Sequence, residues 1–490
     1  MKQKAGIIGA GIGGIAVAIR LARLGYQVEV FEQSAQAGGK LNEFRQDGFR
    51  FDTGPSLFTL PHLVDELLDE DLRFRYRKLD VVTQYFFDDG TRLSAFADVE
   101  KFATEVEQKT QVPAKRVLRY LKQAAQIYRL TAPIFIFNSI HRFRKLFTWP
   151  NLVRALQAFR LKPFSTLHGL NQKAFSDPRI IQLFDRYATY NGSNPYKTPG
   201  TLSVISHLEH NLGAYFPAGG MYQLVEALLA QANRLGVRFF YDTPVESVIA
   251  GKKSVSGLRV KGEDRSYNLV VSDVDIHHFY RTLLPDSRRL KKMERTERSS
   301  SALIFYWGMK KRFQELELHN IFFSQDYRHE FSCLFETKTI SDDPTVYVFI
   351  SSKGNEADAP AGMENWFVMV NAPEHNGQNW EELRQKTRKN ILAKLQRMLH
   401  EEIENQILFE KILDPVKIET RTGSFQGAMY GPSSNSPFSA FNRHPNFRRD
   451  IQGLYFSGGS VHPGGGIPLC LSSANIVAEI VEEQLTEKHE

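Results

Sequence analysis

Three glycines near the amino terminus, Gly9, Gly11 and Gly14, are spaced as GxGxxG between an apolar run, Ala5 to Ile8, and a stretch of helical periodicity, Gly13 to Leu24. In that arrangement the first glycine permits a tight turn, the second lets a diphosphate approach the backbone, and the third lets helix and strand pack closely. The helix start then turns amide N–H groups toward an anion. By itself the pattern is weak in a chain holding 34 glycines. Glu32 strengthens it: it follows a second apolar run, Gln27 to Phe31, where a carboxylate can accept both hydroxyls of a ribose and an acidic group disfavours a 2′-phosphate.

Bare backbone recurs at Gly38-Gly39-Lys40 and at FDTGPS, Phe51 to Ser56, which implies a second approach to the same dinucleotide. No second GxGxxG follows, so one dinucleotide is expected and the redox partner must come from elsewhere. Near the other end, SGGSVHPGGGIPLCLSSAN (Ser457 to Asn475) leaves a strand and enters a helix through five glycines and two prolines. Pro468 suits the first helical turn, where no N–H is needed, and the positive helix start can stabilise an anion developing on a bound ring. The titratable candidates are Asp273, His277, His278 and His462. His462 adjoins the carboxy-terminal glycine turn and is the expected catalytic residue, although a lone histidine beside a turn is more often structural.

These residues need a scaffold. The first fifty residues read as strand, helix, strand, with Gly25 as helix stop. Residues 60–72 are expected to be helical, Val81 to Phe87 and Arg92 to Phe96 to form a hairpin around DDG, and residues 100–210 to be mostly helical. A helix from Met221 to Leu235 leads to strands at Val237–Tyr241, Val245–Ile249, Ser256–Val260 and Asn268–Ser272. Further strands are expected at Ala302–Met309, Ile321–Ser324, Thr345–Ser351 and Trp366–Asn371, then a helix over Trp380–His400, a strand at Gly453–Phe456 and a last helix from Pro468 to Leu485.

The composition sets outer bounds. With 490 residues, 42% hydrophobic and 24% charged, the chain is ordinary for a globular protein, which excludes disorder, collagen-like repetition and a disulfide scaffold. Cys333 and Cys470 are its only cysteines, too few for a thiolate metal site, so no metal and a reducing cytoplasm are expected. Lys2 and Lys4 ahead of an apolar stretch resemble a secretory signal, but cleavage would remove the glycines, so export is not expected. No run of about 18 apolar residues is present to span a bilayer. From Gln111 to Ser176 there are twelve Lys or Arg and no Asp or Glu; without them the net charge of +7 becomes −5. Ten aromatics are interleaved, among them Tyr120, Phe135, Phe137, Phe143, Phe147, Trp149 and Phe159. That mix suits a helical surface in the headgroup layer of an anionic membrane, attracted by about 1 kcal/mol per basic residue near it. A single-stranded nucleic acid groove would use the same residue types. The Leu, Ile and Val at helical spacing favour lipid, and no nucleic acid partner is expected.

GIIGAGIGGIAVAIRLARLGYQVEVFEQSAQAGGK, GFRFDTGPSL, PAGGMYQLVEAL and GLYFSGGSVHPGGGIPLCLSSA together resemble the bacterial-type carotenoid (phytoene) desaturases, FAD-dependent relatives of the amine oxidases. The resemblance runs from end to end, least marked over residues 100–210. The ending GGSVHPGGGIPLCLSSA looks more like the branch acting on hydroxylated or half-cyclised carotenoids, the hydroxycarotenoid 3,4-desaturase or γ-carotene desaturase type, than like typical phytoene enzymes. It implies an α/β fold: a Rossmann-type FAD-binding domain of the amine oxidase/glutathione reductase-like class, interleaved with a β-sheet substrate domain and a helical membrane-associating region. On that reading the FAD domain comprises residues 1–75, 215–290 and 450–490, the substrate domain 76–105 and 291–449, and the membrane-associating region 106–214. The implied cofactor contacts are Gly9, Gly11, Gly14, Glu32, Gly39, Lys40, Gly54, Pro55, Val245, Asp273, Gly459 and Ser460, with Gly466 and Ile467 at the flavin. Many relatives place Asp after the glycine where this chain has Ser460.

The resemblance also implies a carotenoid substrate and a quinone or oxygen as acceptor. The protein would sit on the cytoplasmic face of a membrane. Two hydrogens would leave a C–C bond beside the polyene, by hydride transfer to flavin and proton loss from an allylic cation. Such chemistry asks for positioning and dryness more than for a strong base. A carotenoid isomerase, an amine oxidase and a redox-inert escort for prenyl chains are the competing readings.

Overall fold

The computed structural model describes residues 3–142 and 165–487, with positions 148, 149, 153 and 157 between them. Strand β1 (Lys4–Ile8), helix α1 (Ile12–Arg23) and strand β2 (Gln27–Phe31) form the opening βαβ unit. Its strands are parallel, with Ile8 opposite Phe31. Apolar nearly all round, α1 must be covered on every side, and Ile12 to Ile19 are all buried. Gly25, at φ +89°, lets the chain turn back after it. The parallel sheet runs in the order Leu454–Phe456, Leu269–Ser272, β1, β2, Arg238–Phe240. It thus draws strands from the beginning, middle and end of the chain. Helices α1, Gln223–Arg234 and Ile467–Glu487 share one apolar core with the sheet, in which Ile15, Leu224 and Val477 are fully buried.

A second sheet has seven strands in the order Ile407–Leu413, Ser301–Met309, Glu364–Ala372, Val346–Phe349, His319–Phe322, Val81–Phe86, Arg92–Phe96. Strand residues alternate between faces, and here the two faces have different tasks. Leu303, Phe305, Trp307, Val348, Val368 and Val370 pack with Ile391, Leu392 and Leu395 of the helix Trp380–Leu399. The intervening Ile304, Tyr347, Phe367 and Met369 line a cavity.

Some expectations need correction. The helix expected over 60–72 is only His62–Asp65, followed by a short turn at Glu70–Leu72. Arg23 donates to the carbonyls of Glu66 (3.1 Å) and Leu67 (2.9 Å), taking acceptors that further helical turns would use. The strand expected at Ile321–Ser324 instead begins at His319, a polar residue that apolar periodicity passes over. Strand Ile407–Leu413 was not anticipated, because Glu410 and Lys411 interrupt its pattern. In the helical region lie Val99–Thr110, Ala114–Phe135, Leu167–Ala174 and Pro178–Asp185. Phe143, Phe147 and Phe159 lie outside the described residues. Among the described residues no helix is long and apolar enough to cross a membrane, and no three His, Cys, Asp or Glu side chains are grouped to hold a metal ion.

Candidate active site

The glycine turns at the two ends of the chain meet. A Cβ on Gly13 would lie 3.0 Å from Ser457 Oγ and 3.1 Å from the Gly458 nitrogen. Between these turns and the second sheet is a cavity of about 740 Å³. Gly9, Gly11, Glu32, Gly39, Lys40, Gly54, Pro55, Val245, Asp273, Gly459, Ser460, Gly466 and Ile467 all line it. Gly14 and His462 do not.

The glycines are needed where they stand. Gly14 packs on β1's turn so closely that its Cβ would lie 2.2 Å from the Gly9 carbonyl oxygen, and one on Gly54 would lie 1.9 Å from that of Lys40. Gly466, at φ +112°, has no atom of the described residues within 4 Å of its Cβ position, so bare backbone faces open space just before the last helix. Glu32 accepts from the Ala10 nitrogen (2.8 Å) and from both the nitrogen (2.9 Å) and the hydroxyl (2.6 Å) of Ser34. A carboxylate offers about four acceptor positions, which leaves capacity for a ribose hydroxyl.

Asp273 has a larger part than the sequence suggested. It follows the strand Leu269–Ser272, and its carboxylate lies across the start of α1, where burial pushes its pKa up to about 7 against hydrogen bonds from the Gly14 and Gly11 backbone. A Cβ on Gly11 would lie 2.4 Å from Asp273 Oδ2. The amides expected to face an anion are therefore shared with a side chain. Lys40 is enclosed by protein yet turns its surface to the cavity; its Nζ donates to the Met429 carbonyl at 2.7 Å, and burial draws its pKa down. Ser460 is buried, and its hydroxyl accepts from the Ile276 nitrogen at 2.9 Å. It binds the last turn to the segment beyond Asp273.

His462 is the correction. Its Nε2 pairs with the Asn138 carbonyl at 2.9 Å, its ring meets His141 edge-on, and burial pulls its pKa down to about 4. It faces the long helix's end and not the cavity, and no catalytic role is proposed for it. His277 stacks on Phe425 with centroids 3.5 Å apart, while His278 lines the cavity.

Sequence reasoning missed the far wall of the cavity. Arg186, at the start of the turn Arg186–Asn191, donates to Tyr85 Oη (2.7 Å), Glu209 Oε1 (3.0 Å) and Tyr190 Oη (3.1 Å). Tyr347 Oη joins Ser56 Oγ and His319 Nδ1, each at 2.7 Å. The run RYATY at Arg186–Tyr190 was the available signal, an arginine followed closely by two tyrosines. The cavity thus has a glycine-built cradle on one side and, on the other, an apolar sheet face with one polar corner.

The model of the flavin containing amine oxidoreductase family matches residues 12–481. The chain belongs to that family. It is 46% identical to a 1-hydroxycarotenoid 3,4-desaturase of Flavobacterium sp. (strain P99-3), over 98% of this chain and 99% of the relative. It is 28% identical to a 4,4'-diapolycopene oxygenase of Methylomonas sp, over 99% of each. Among solved structures, putrescine oxidase bound to putrescine superposes with a TM-score of 0.64 at 16% identity, covering 99% of each chain. That last likeness is one of fold. The mixed α/β architecture is that of this flavoprotein family, and the cavity fits its cofactor, FAD: bare glycine backbone, the Glu32 carboxylate and Lys40 line the same space.

Proposed function

We propose that the protein is an FAD-dependent carotenoid desaturase, acting on a hydroxylated carotenoid beside its hydroxyl-bearing end. The single observation that carries this is the shared cavity: one space is bounded by the dinucleotide cradle and by an apolar sheet face. The end-to-end likeness to a 1-hydroxycarotenoid 3,4-desaturase supports the substrate class. FAD, when bound, supplies the hydride acceptor. The chain supplies the rest. Gly9, Gly11, Glu32, Gly39, Lys40, Gly54, Pro55, Val245, Asp273, Gly459, Ser460, Gly466 and Ile467 hold the cofactor in this reading, with Gly14 letting α1 pack against the first turn. Ile304, Ile321, Phe367 and Met369 exclude water and hold the polyene flat against the cradle. Orientation in a dry site accounts for much of the rate in such chemistry.

The protein's approach to a bilayer belongs to the same proposal. Phe438 and Phe441 are 63% and 53% exposed, Trp149 is 76% exposed, and Phe441 meets Phe135 edge-on at the end of Ala114–Phe135. Large apolar side chains in the open, beside the basic segment 111–176, suit an anionic membrane on the cytoplasmic side from which the substrate is drawn. A quinone or oxygen would reoxidise the cofactor. Incubation with phytoene, lycopene, γ-carotene and a 1-hydroxy carotenoid tests the reading: a product lighter by two hydrogens, formed best from the hydroxylated substrate, is expected. An unchanged mass would point to an isomerase, and no turnover to an escort.

A further inference from the structure

The hydrogen-bonded polar corner of this largely apolar wall has no task in hydride transfer. Ser56 comes directly after the Gly54–Pro55 turn of the cradle, and from it a hydrogen-bonded chain runs through Tyr347 Oη to His319 Nδ1, 2.7 Å at each step. His319 is 2% exposed, lines the cavity, and its Nε2 is buried without a hydrogen-bond partner among the described residues. Two other atoms lining the cavity repeat this: Arg186 Nε and Tyr327 Oη are buried and have no hydrogen-bond partner among the described residues. Leaving a buried polar atom unpaired is costly, so three around one cavity mark a place where a ligand oxygen would be stabilised.

Relative acidity assigns the proton order along this chain. A phenol is the better donor to an imidazole, so Tyr347 donates to Nδ1 and accepts from Ser56, and Nε2 of the neutral ring carries the hydrogen. Burial draws the His319 pKa down to about 3, which keeps the ring neutral. The ring stacks on Phe349, with centroids 5.1 Å apart, so it cannot swing away freely.

We propose that His319, set by Tyr347 and Ser56, donates from Nε2 to the hydroxyl oxygen of the substrate and is the residue that selects hydroxylated chains. This rests on the desaturase reading above and deepens it. In a 1-hydroxy chain desaturated between C3 and C4, the hydroxyl-bearing carbon is two bonds from the nearer reacting carbon. The group that reads it must therefore adjoin the cofactor cradle, as the link through Ser56 requires. Tyr347 is a positioning residue in this scheme, since it acts through the imidazole.

The test compares a 1-hydroxy carotenoid with the same chain lacking the hydroxyl, for the full-length holoenzyme and for His319→Phe, His319→Gln and Tyr347→Phe. Binding is read by quenching of protein fluorescence and turnover by kcat/KM. His319→Phe should lose roughly tenfold or more in kcat/KM and in affinity on the hydroxylated chain, as for a site built to bond a hydroxyl, and lose far less on the deoxy chain. His319→Gln, which keeps a donor, should recover part of the preference, and Tyr347→Phe should lower it. Equal losses on both chains, or an unaltered preference in His319→Phe with flavin retained, would overturn the proposal. Should neither the parent nor any variant turn over a carotenoid while the parent binds the hydroxylated chain preferentially and His319→Phe loses that preference, the proposal stands and the desaturase reading falls. Equal binding of the two chains by the parent overturns the proposal alone.

Discussion

Gly13 of the first glycine turn and Ser457 of the last are in contact: a Cβ on Gly13 would lie 3.0 Å from Ser457 Oγ. Some 440 residues of chain separate these two positions, and the chain returns to the dinucleotide sheet several times between them. Everything the protein is proposed to do depends on that closure, because neither turn alone bounds the cavity.

Gly14 tests the cradle. With the Gly9 carbonyl oxygen 2.2 Å from its Cβ position, Gly14→Ala forces α1 away from the first turn. Overpacking of this kind costs about 1–3 kcal/mol. The expected outcome is a lower Tm and weaker FAD retention on desalting, read from the ratio of flavin to protein absorbance.

Asp273 gives cofactor binding a pH dependence. Burial raises its carboxyl from an ordinary 3.8 to about 7. A group raised in the folded state holds its proton there while the unfolded chain releases it, so its contribution to stability falls as pH rises from about 4 to about 7. A diphosphate nearby adds negative charge and favours the protonated form further. FAD affinity measured by titration of the apoprotein should therefore weaken as pH rises past 7, and Asp273→Asn should flatten that dependence.

Arg50 is predicted to matter for folding and not for chemistry. Its guanidinium pairs with Asp52 (2.7 Å) and Asp358 (3.2 Å), all three side chains being buried, and also holds Glu43. Asp52 in turn accepts from the nitrogens of Met221 (3.0 Å) and Tyr222 (3.2 Å), which fastens the FDTGPS turn to the helix that follows. Arg50→Met leaves buried carboxylates unpaired, at a cost of about 3–5 kcal/mol. Urea unfolding should show that loss.

The exposed aromatics test membrane binding. Replacing both Phe438 and Phe441 by Ser removes apolar surface that, fully buried, is worth about 1.5–3 kcal/mol for each ring. Co-sedimentation with anionic vesicles should drop by roughly tenfold or more, and binding by the parent should weaken with salt.

The glycine turns, the βαβ opening and most strands were legible in the sequence because each has a local cause. Gly9 and Gly466 need positive φ, and the apolar runs have the period of the elements they form. The polar corner was not legible. His319, Tyr347 and Ser56 lie far apart in the chain and meet only through the sheet's register, which sets His319 opposite Phe349. His462 shows the converse: it adjoins the right turn, but its ring follows the Asn138 carbonyl away from the cavity. Proximity in sequence said nothing about the direction of the side chain.

The most direct measurement is anaerobic mixing of the yellow holoenzyme with a 1-hydroxy carotenoid while the visible flavin absorbance is followed. Bleaching of the bound flavin, one equivalent of carotenoid lighter by two hydrogens, and a red-shifted polyene spectrum are expected together. Flavin that stays oxidised with the carotenoid bound and unaltered would contradict the account.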